Sequence, residues 1–298
     1  MKIGIAGMGR MGAAMATRLM GLGRDVTVWN RSPEKTKPLA EAGAKVASTA
    51  RELAKQCDIV LSCVTDAAAI QETYRGKDGL LADEVKGKLF IEMSTVRPHV
   101  QEQLGAAVKA KGAGFVDCPV GGSVGPAREG KLFGFIGGEA SEVSRARQVL
   151  DQLCRRVEHV GRVGSGARMK LTINLPLHVY WQALGEALAI SKSLGLDPAR
   201  VIDILADTSG GPNVLKTRGP ALAAALSGRD VGAIAFDVDS TRKDLRTMIE
   251  EAQSIGVALP VTERSLACYD EASAAGRGNG DACEMPARFL GIERKPRP

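Results

Sequence analysis

Aromatic residues are scarce in this chain of 298 residues, since Phe, Trp and Tyr together make up only 4% of it. A surface on which nucleic-acid bases stack needs several aromatic rings, so this scarcity argues against such a surface. The net charge is +6, but the Lys and Arg residues are dispersed instead of forming a block. Dispersed positive charge favours a small anionic ligand over DNA, and we therefore expect no nucleic-acid partner.

Metal-binding patterns of cysteine and histidine are also missing. The six cysteines form no CxxC pair and lie near no cluster of histidines, so we expect buried thiols and no metal site. Unpaired thiols of this kind are typical of a reducing compartment. There is no signal peptide and no apolar run of membrane-spanning length, so we expect a cytoplasmic protein with no membrane partner. The three histidines, which we interpret as structural, are His99, His159 and His178.

Short apolar strands alternate with helical spacing through the first half of the chain. The strands are expected at 2–7, 26–29, 57–64, 87–93, 112–118 and 132–138. This alternation predicts a doubly wound parallel sheet over residues 1–163. From 167 to 194, Ala, Leu and Ile recur at helical spacing, which predicts a long helix kinked at Pro176 and an all-helical domain over residues 164–298. Residues 293–298 are expected to form a disordered tail.

A glycine-rich turn follows the first strand directly. It reads Gly7-Met8-Gly9-Arg10-Met11-Gly12, which is the pattern GxGxxG. Glycines here permit a tight turn and let backbone amides approach a pyrophosphate at the N-terminus of the next helix. The alternative is a turn that is glycine-rich without a ligand, but the preceding strand and the following helix are the context that a dinucleotide site requires. We therefore expect residues 7–12 to bind a dinucleotide.

The end of the second strand indicates which dinucleotide is bound. An NAD site usually has an acidic residue about 20 positions after the glycines, whereas this chain has Asn30, Arg31 and Ser32 there. A guanidinium matches a phosphate bidentately. We therefore expect Arg31 to face a 2′-phosphate and the protein to prefer NADP(H) over NAD(H). The alternative is that Arg31 lies over the adenine or points into solvent.

Lys170 and Asn174 stand one turn apart in the predicted long helix and share a face. An ammonium close to a carbonyl can stabilise the alkoxide that hydride transfer produces and can donate the proton it needs. In the direction of oxidation, a neutral lysine accepts that proton. The two residues are therefore candidate catalytic residues, and the alternative is a solvated edge of the helix.

Five motifs occur in order along the chain: GIAGMGRMGAAMA (4–16), MSTVRP (93–98), DCPVGGSVGPAREGKL (117–132), GSGARMKLTIN (164–174) and KDL (243–245). Together they resemble the β-hydroxyacid dehydrogenases, a family that includes 3-hydroxyisobutyrate dehydrogenases, tartronate semialdehyde reductases and glyoxylate/succinic semialdehyde reductases. The resemblance implies an α/β Rossmann domain followed by an all-α domain built on a long interdomain helix. It also implies that Lys170 is the catalytic general acid and base, that Asn174 accompanies it, and that the protein is a homo-oligomer, either a dimer or a tetramer.

The same resemblance assigns further residues to the cofactor and the substrate. It implies that Val64, Thr65, Thr95 and Lys243 lie near the cofactor. It also implies that the loop 121–123, together with the lysine and asparagine of the long helix, binds the substrate. This loop reads Gly121-Gly122-Ser123, whereas many members have serine at the first position. Consecutive backbone amides still form an anion cradle, but the pocket is altered.

These expectations combine into an NADP(H)-dependent oxidoreductase that interconverts a small β- or γ-hydroxy acid and its aldehyde or oxo acid. One alternative is an imine reductase-like NADPH enzyme; the imine reductases that share this architecture usually have Asp or Tyr where this chain has Lys170. The other alternative is a non-catalytic NADP-binding module.

Overall fold

The computed structural model describes residues 1–292, and the predicted tail at 293–298 lies outside the described residues. The chain divides into two compact units, the first ending at Leu171 and the second beginning at Thr172. Within residues 1–292, no helix combines the length and the apolar character needed to cross a membrane.

The first unit is built on one sheet. Its strands are β1 (Ile3–Ala6), β2 (Val26–Trp29), β3 (Lys45–Val46), β4 (Ile59–Ser62), β5 (Leu89–Glu92), β6 (Gly114–Asp117), β7 (Val120–Gly121), β8 (Leu132–Gly137) and β9 (Cys154–Gly161). The strand order is β3-β2-β1-β4-β5-β6-β8-β7, with β9 also paired to β8. The six strands from β3 to β6 are parallel. The predicted doubly wound parallel sheet is therefore confirmed for these strands.

Helices connect the strands of this sheet. They are α1 (Arg10–Gly21), α2 (Lys37–Glu41), α3 (Ala50–Gln56), α4 (Ala67–Arg75), α5 (Pro98–Ala110), α6 (Val124–Glu129) and α7 (Ala140–Leu153), and a short 3-10 turn, Pro33–Thr36, precedes α2. The helices α3 and α4 begin with side-chain caps, because Thr49 accepts a hydrogen bond from the Glu52 amide and Asp66 accepts one from the Ala69 amide. Each cap satisfies a backbone N–H that the helix itself leaves unpaired.

Apolar side chains cover both faces of the sheet. In β5, Leu89 and Ile91 belong to one buried cluster, while Phe90 between them belongs to the other. The neighbouring strand β6 divides in the same way, with Val116 in the first cluster and Phe115 in the second. All five side chains have no solvent exposure. Strands buried on both faces are typical of parallel sheets that are covered by helices on each side.

The far edge of the sheet departs from the all-parallel expectation. Strand β8 is antiparallel to both β6 and β7. Only the two residues 118–119 separate β6 from β7, and only α6 lies between β7 and β8. A parallel pair needs a crossover of a dozen or more residues, so connections this short favour antiparallel pairing. Strand β9 pairs in parallel with β8, because α7 supplies a full crossover between these two strands.

The second unit is helical. The long helix α8 (Ser165–Ser191) begins in the first unit and continues past Pro176 without a break; a bend at this proline stays a prediction. The helices that follow are α9 (Pro198–Ala206), α10 (Asn213–Leu226), α11 (Val238–Ser254), α12 (Pro260–Ala272) and α13 (Met285–Phe289). From residue 162 to 292 the only β-type pairing is an isolated bridge between Asp237 and Asp281. The predicted all-helical region is thus confirmed.

Candidate active site

The carboxyl ends of the parallel strands form a row across the first unit. Trp29, Ala6, Ser62, Glu92 and Asp117 are register partners on β2, β1, β4, β5 and β6. The loops that leave this row contain most of the cofactor residues predicted from the sequence. Open α/β sheets bind their ligands outside the carboxyl ends of the strands, so the candidate site lies at this edge.

The glycine turn after β1 requires its glycines for specific reasons. Gly7 has a φ of +97°, and a Cβ there would lie 2.3 Å from the Cys63 carbonyl oxygen. A Cβ on Gly12 would lie 1.9 Å from the Gly7 carbonyl oxygen, so α1 could not approach the turn this closely with any other residue. By contrast, a Cβ on Gly9 would meet no atom within 4 Å.

This open space lies directly at the start of α1. Gly9 is the N-cap, no side chain caps the helix, and its first turn has no acidic residue. An uncapped helix start with space in front of it fits the pyrophosphate of a dinucleotide. Arg10 is exposed at the first helical position. Met8 belongs to the buried hydrophobic core, so only its backbone remains for a ligand, whereas Met11 is partly buried and packs against this core.

Asn30 links the glycine turn to the loop after β2. Its Oδ1 accepts a hydrogen bond from the Met8 amide at 2.8 Å, and its Nδ2 donates to the Ser32 carbonyl oxygen at 2.9 Å. The Asn30 side chain, which the sequence analysis assigned to the cofactor, is therefore engaged in holding the turn. The hydroxyl of Ser32, at the N-cap of the 3-10 turn, makes no capping hydrogen bond.

Arg31 and Thr65, both assigned to the cofactor from the sequence, lie together. Both line an open cavity of about 560 Å³ whose other lining residues are Asp66, Ala68, Ala69 and Glu72. Arg31 is exposed and makes no hydrogen bond or ion pair with any of the residues 1–292. Its guanidinium is therefore available to an anion. Asp66, by contrast, is committed to capping α4.

A buried carboxylate that the sequence analysis did not name joins the next two loops. Glu92 accepts hydrogen bonds from the Ser94 amide at 3.1 Å, from the Ser94 hydroxyl and from Nε2 of Gln101. The Ser94 hydroxyl oxygen in turn accepts the Val64 amide at 2.8 Å. This network fixes the backbone next to Thr65 and Thr95. Burial raises the pKa of Glu92 to about 7, although its hydrogen bonds to Ser94 and Gln101 oppose the rise.

A second buried carboxylate fixes the start of α8. Asp117 accepts hydrogen bonds from the amides of Gly164 and Ala167, both at 2.8 Å. Gly166 packs so closely that a Cβ would lie 2.3 Å from the Phe135 carbonyl oxygen. Burial raises the pKa of Asp117 to about 6 against the effect of these backbone hydrogen bonds. Lys170 is half-buried, one turn beyond the residues that Asp117 holds.

The predicted substrate loop begins where β7 ends. Gly122 has a φ of +120°, and a Cβ there would lie 2.9 Å from Cδ2 of Leu132. Gly121 has ordinary space, since its Cβ would lie 3.6 Å from Cε2 of Phe135. Ser123 is half-buried at the N-cap of α6, and its side chain makes no capping hydrogen bond.

In the second unit, Asp244 brings two predicted site residues together. Nδ2 of Asn174 donates to Oδ2 of Asp244 at 3.3 Å. Nζ of Lys243 lies 2.6 Å from Oδ1 of the same carboxylate. Asp244 belongs to the KDL motif but was not itself predicted as a site residue. His178, interpreted from the sequence as structural and outside any dyad, lies 3.8 Å from Asp244.

A glycine turn of this geometry, at the carboxyl edge of a doubly wound sheet, defines the chain as a dinucleotide-binding protein. Two family profiles match it: that of the NAD binding domain of 6-phosphogluconate dehydrogenase over residues 2–161, and that of the NAD-binding domain of NADP-dependent 3-hydroxyisobutyrate dehydrogenase over residues 164–288.

Relatives extend the match over most of the chain. Glyoxylate/succinic semialdehyde reductase 1 of Arabidopsis thaliana is 31% identical over 94% of this chain and 96% of its own length. The 3-hydroxyisobutyrate dehydrogenase of Pseudomonas aeruginosa is 33% identical over 87% of this chain and 88% of its own. A solved structure of Psf3 in complex with NADP+ and 2-OPP has a TM-score of 0.85 at 28% identity and covers 98% of this chain and 100% of that one.

The chain therefore belongs to the β-hydroxyacid dehydrogenase family, as the sequence motifs predicted. These relatives support an NAD(P)-dependent hydroxyacid dehydrogenase activity that acts on CH–OH donors.

Proposed function

We propose that the protein is an NADP(H)-dependent oxidoreductase that interconverts a small β- or γ-hydroxy acid and its aldehyde or oxo acid, with Lys170 as general acid and base. The observation that carries the proposal is the anchoring of α8. Two hydrogen bonds that the Asp117 carboxylate, at the carboxyl end of β6, accepts from backbone amides fix the helix turn that precedes Lys170. We place the Lys170 ammonium beside the edge that carries the cofactor loops, where proton transfer is needed.

The preference for NADP(H) rests on Arg31. Its guanidinium has no partner among residues 1–292 and lines an open cavity together with Thr65. A free guanidinium suits the bidentate geometry of a 2′-phosphate. Gly9 and the uncapped start of α1 would hold the pyrophosphate, and the loops of Val64, Thr65 and Thr95 would border the rest of the dinucleotide. Lys243 is assigned to the cofactor by family resemblance.

The chemistry divides between the cofactor and the chain. The nicotinamide, when bound, supplies or accepts the hydride. Lys170 donates a proton to the carbonyl oxygen in reduction and accepts the hydroxyl proton in oxidation, so oxidation gains at higher pH. Asn174, whose amide is held by Asp244, hydrogen-bonds the substrate or the lysine. The backbone amides of residues 121–123 and the Ser123 hydroxyl bind the carboxylate of the small anionic substrate.

Assembly and location complete the proposal. We propose a homo-oligomer, a dimer or a tetramer, and the apolar side chains at the end of α8 and in the 3-10 turn after it support it, since Ile190 is 82% exposed and Leu194 is 65% exposed. Large exposed apolar groups of this kind mark interaction surfaces. A cytoplasmic location is supported by six cysteines that are all free thiols.

The substrate class is tested by following NADPH oxidation with glyoxylate and with succinic, methylmalonic and tartronic semialdehydes. We expect turnover with at least one of them, and slower reaction when NADH replaces NADPH. Equal Michaelis constants for NADPH and NADH would remove the role given to Arg31. Failure with every acid of this class, in both directions, would reject the proposed function.

The role of Lys170 is tested by Lys170→Ala. We expect turnover to fall by two or more orders of magnitude, as is typical for the loss of a general acid, while NADPH affinity stays similar. Arg168→Ala, which removes an exposed cation two residues away, is the control. Retained turnover in Lys170→Ala would reject its assignment as the proton donor.

The role of Arg31 is tested by Arg31→Asp, which should shift the preference from NADPH toward NADH because a carboxylate repels a 2′-phosphate and binds a ribose diol. Lys35→Asp makes the same charge change at an exposed position nearby and should leave the preference unchanged. An unmoved ratio in Arg31→Asp would place the 2′-phosphate elsewhere.

A further inference from the structure

His178 has an unusual environment for a histidine. It is 2% exposed, whereas His99 and His159 are exposed. Neither Nδ1 nor Nε2 has a hydrogen-bond partner. A buried polar atom without a partner is costly, and in a native fold it requires an explanation.

The surroundings hold the imidazole in place. Its ring stacks on Phe236, with centroids 5.5 Å apart and an interplanar angle of 15°. Its backbone oxygen accepts a hydrogen bond from the Tyr269 hydroxyl at 3.1 Å, which anchors this turn of α8 to α12. The ring therefore has a fixed plane, and Nε2 points toward Asp244 at 3.8 Å.

Asp244 is the common partner of three side chains. Oδ2 faces both the Asn174 amide and Nε2 of His178, while Oδ1 contacts the Lys243 ammonium. Asn174 and His178 are four residues apart on α8, so they reach the same oxygen from successive turns. Whatever orients this carboxylate thus also orients the asparagine and the lysine.

We propose that His178 is a positioning residue, which donates a hydrogen bond from Nε2 to Oδ2 of Asp244 and thereby fixes Asn174 and Lys243 for the reaction. The role of these two residues in the reaction rests on the proposed function. A movement of about 1 Å would shorten the 3.8 Å between Nε2 and Oδ2 to a hydrogen-bonding distance and would give Nε2 a partner.

The charges around the carboxylate agree with this arrangement. Burial alone would raise the pKa of Asp244, but the His178 imidazole and the Lys243 ammonium together lower it. Asp244 is therefore an anion and an effective acceptor at neutral pH. Tyr269, whose hydroxyl donates to the His178 backbone oxygen, has its pKa raised by burial, so it stays neutral.

The first test is spectroscopic and needs no activity. The chain has three histidines, so the ¹⁵N imidazole signals of the labelled full-length protein can be assigned with His99→Gln and His159→Gln. We expect a slowly exchanging Nε2–H signal from His178 that disappears in Asp244→Asn and persists in Asp203→Asn, a matched change on an exposed part of α9. A His178 spectrum that is the same in both variants would overturn the proposal.

The second test compares kcat for two substitutions of His178. If His178 only packs, phenylalanine should be the better replacement; if it positions Asp244, glutamine should be. Phenylalanine keeps the stack on Phe236 but has no donor, whereas glutamine can donate to Asp244. We expect His178→Phe to lower kcat about tenfold, which corresponds to about 1.4 kcal/mol, with the KM for NADPH nearly unchanged. His178→Gln should recover most of that loss.

Leu222→Ala, a fully buried truncation on α10, controls for lost stability. Equal kcat in His178→Phe and the wild type, or an equal loss in Leu222→Ala, would contradict the positioning role. If the wild-type protein reduces none of the proposed substrates, the proposed function fails, while the spectra still decide whether the His178–Asp244 hydrogen bond exists.

Discussion

Glu92→Gln is predicted to make the protein more resistant to unfolding than the wild type at neutral and alkaline pH. The carboxyl group of Glu92 has no solvent exposure, and burial raises its pKa from 4.5 to about 7. Between these two values the folded protein keeps a proton that the unfolded chain releases. Stability conferred by that proton is complete below pH 4.5 and is lost as the pH rises through 7.

The size of the effect follows from the same two values. At about 1.4 kcal/mol for each pH unit, the wild type loses about 3 kcal/mol of unfolding free energy from Glu92 across this window. A glutamine amide does not titrate and so loses none of it. The amide also fits the network, because its carbonyl can accept from the Ser94 amide and its NH₂ can donate to Oε1 of Gln101, which has no hydrogen-bond partner.

The assay is urea unfolding of both proteins between pH 4 and pH 8. The difference in unfolding free energy, Glu92→Gln minus wild type, should grow by about 3 kcal/mol over this range. Taking the difference cancels the contribution of Asp117, which both proteins share. Glu102→Gln on the exposed side of α5 should follow the wild-type curve. A difference that stays constant with pH would refute the reasoning.

Asp117→Asn leaves one oxygen to accept two backbone N–H groups, one just before α8 and one in its first turn, so it should cost about 2 kcal/mol of unfolding free energy. An unchanged urea midpoint would contradict the capping role of Asp117. Gly121→Ser should fold with little loss of thermal stability, since its Cβ would lie at an ordinary 3.6 Å from Phe135. The matched change Gly122→Ser should cost about 1 kcal/mol or more of unfolding free energy, because Gly122 has a φ of +120° and a Cβ there would lie 2.9 Å from Leu132. Equal melting temperatures for the two variants would show that the two backbone positions do not differ as described.

Much of the fold was predictable because it depends on local patterns. The strands at 26–29 and 132–138 and the long helix from 167 follow from runs of apolar residues whose spacing matches one structure. Strand β9 was missed because charged residues such as Arg155, Arg156 and Glu158 interrupt its apolar pattern. The antiparallel direction of β8 depends on connection length, which the alternation of strands and helices alone does not reveal.

The residues of the candidate site likewise fall into those that local patterns predict and those that depend on distant partners. The glycine turn could be identified because steric limits at Gly7 and Gly12 act within a few residues. The carboxylates Glu92, Asp117 and Asp244 were not predicted, since a buried acid is recognised by its partners, and those of Asp117 lie 47 and 50 residues away. Gly164 and Gly166 could have drawn attention to Asp117, because a helix start that packs closely against the fold needs an acceptor for its first N–H groups.

The bridge made by Asn30 has a consequence for changing cofactor specificity. One amide supports the glycine turn with its oxygen and the loop after β2 with its nitrogen. Redesigning positions 30–32 together would remove these hydrogen bonds and would therefore lower the affinity for NAD(H) and NADP(H) alike. Altering Arg31 alone leaves that support intact. Specificity can therefore be changed at Arg31 while the support that Asn30 gives to both segments is kept, since the Arg31 side chain takes no part in the bridge.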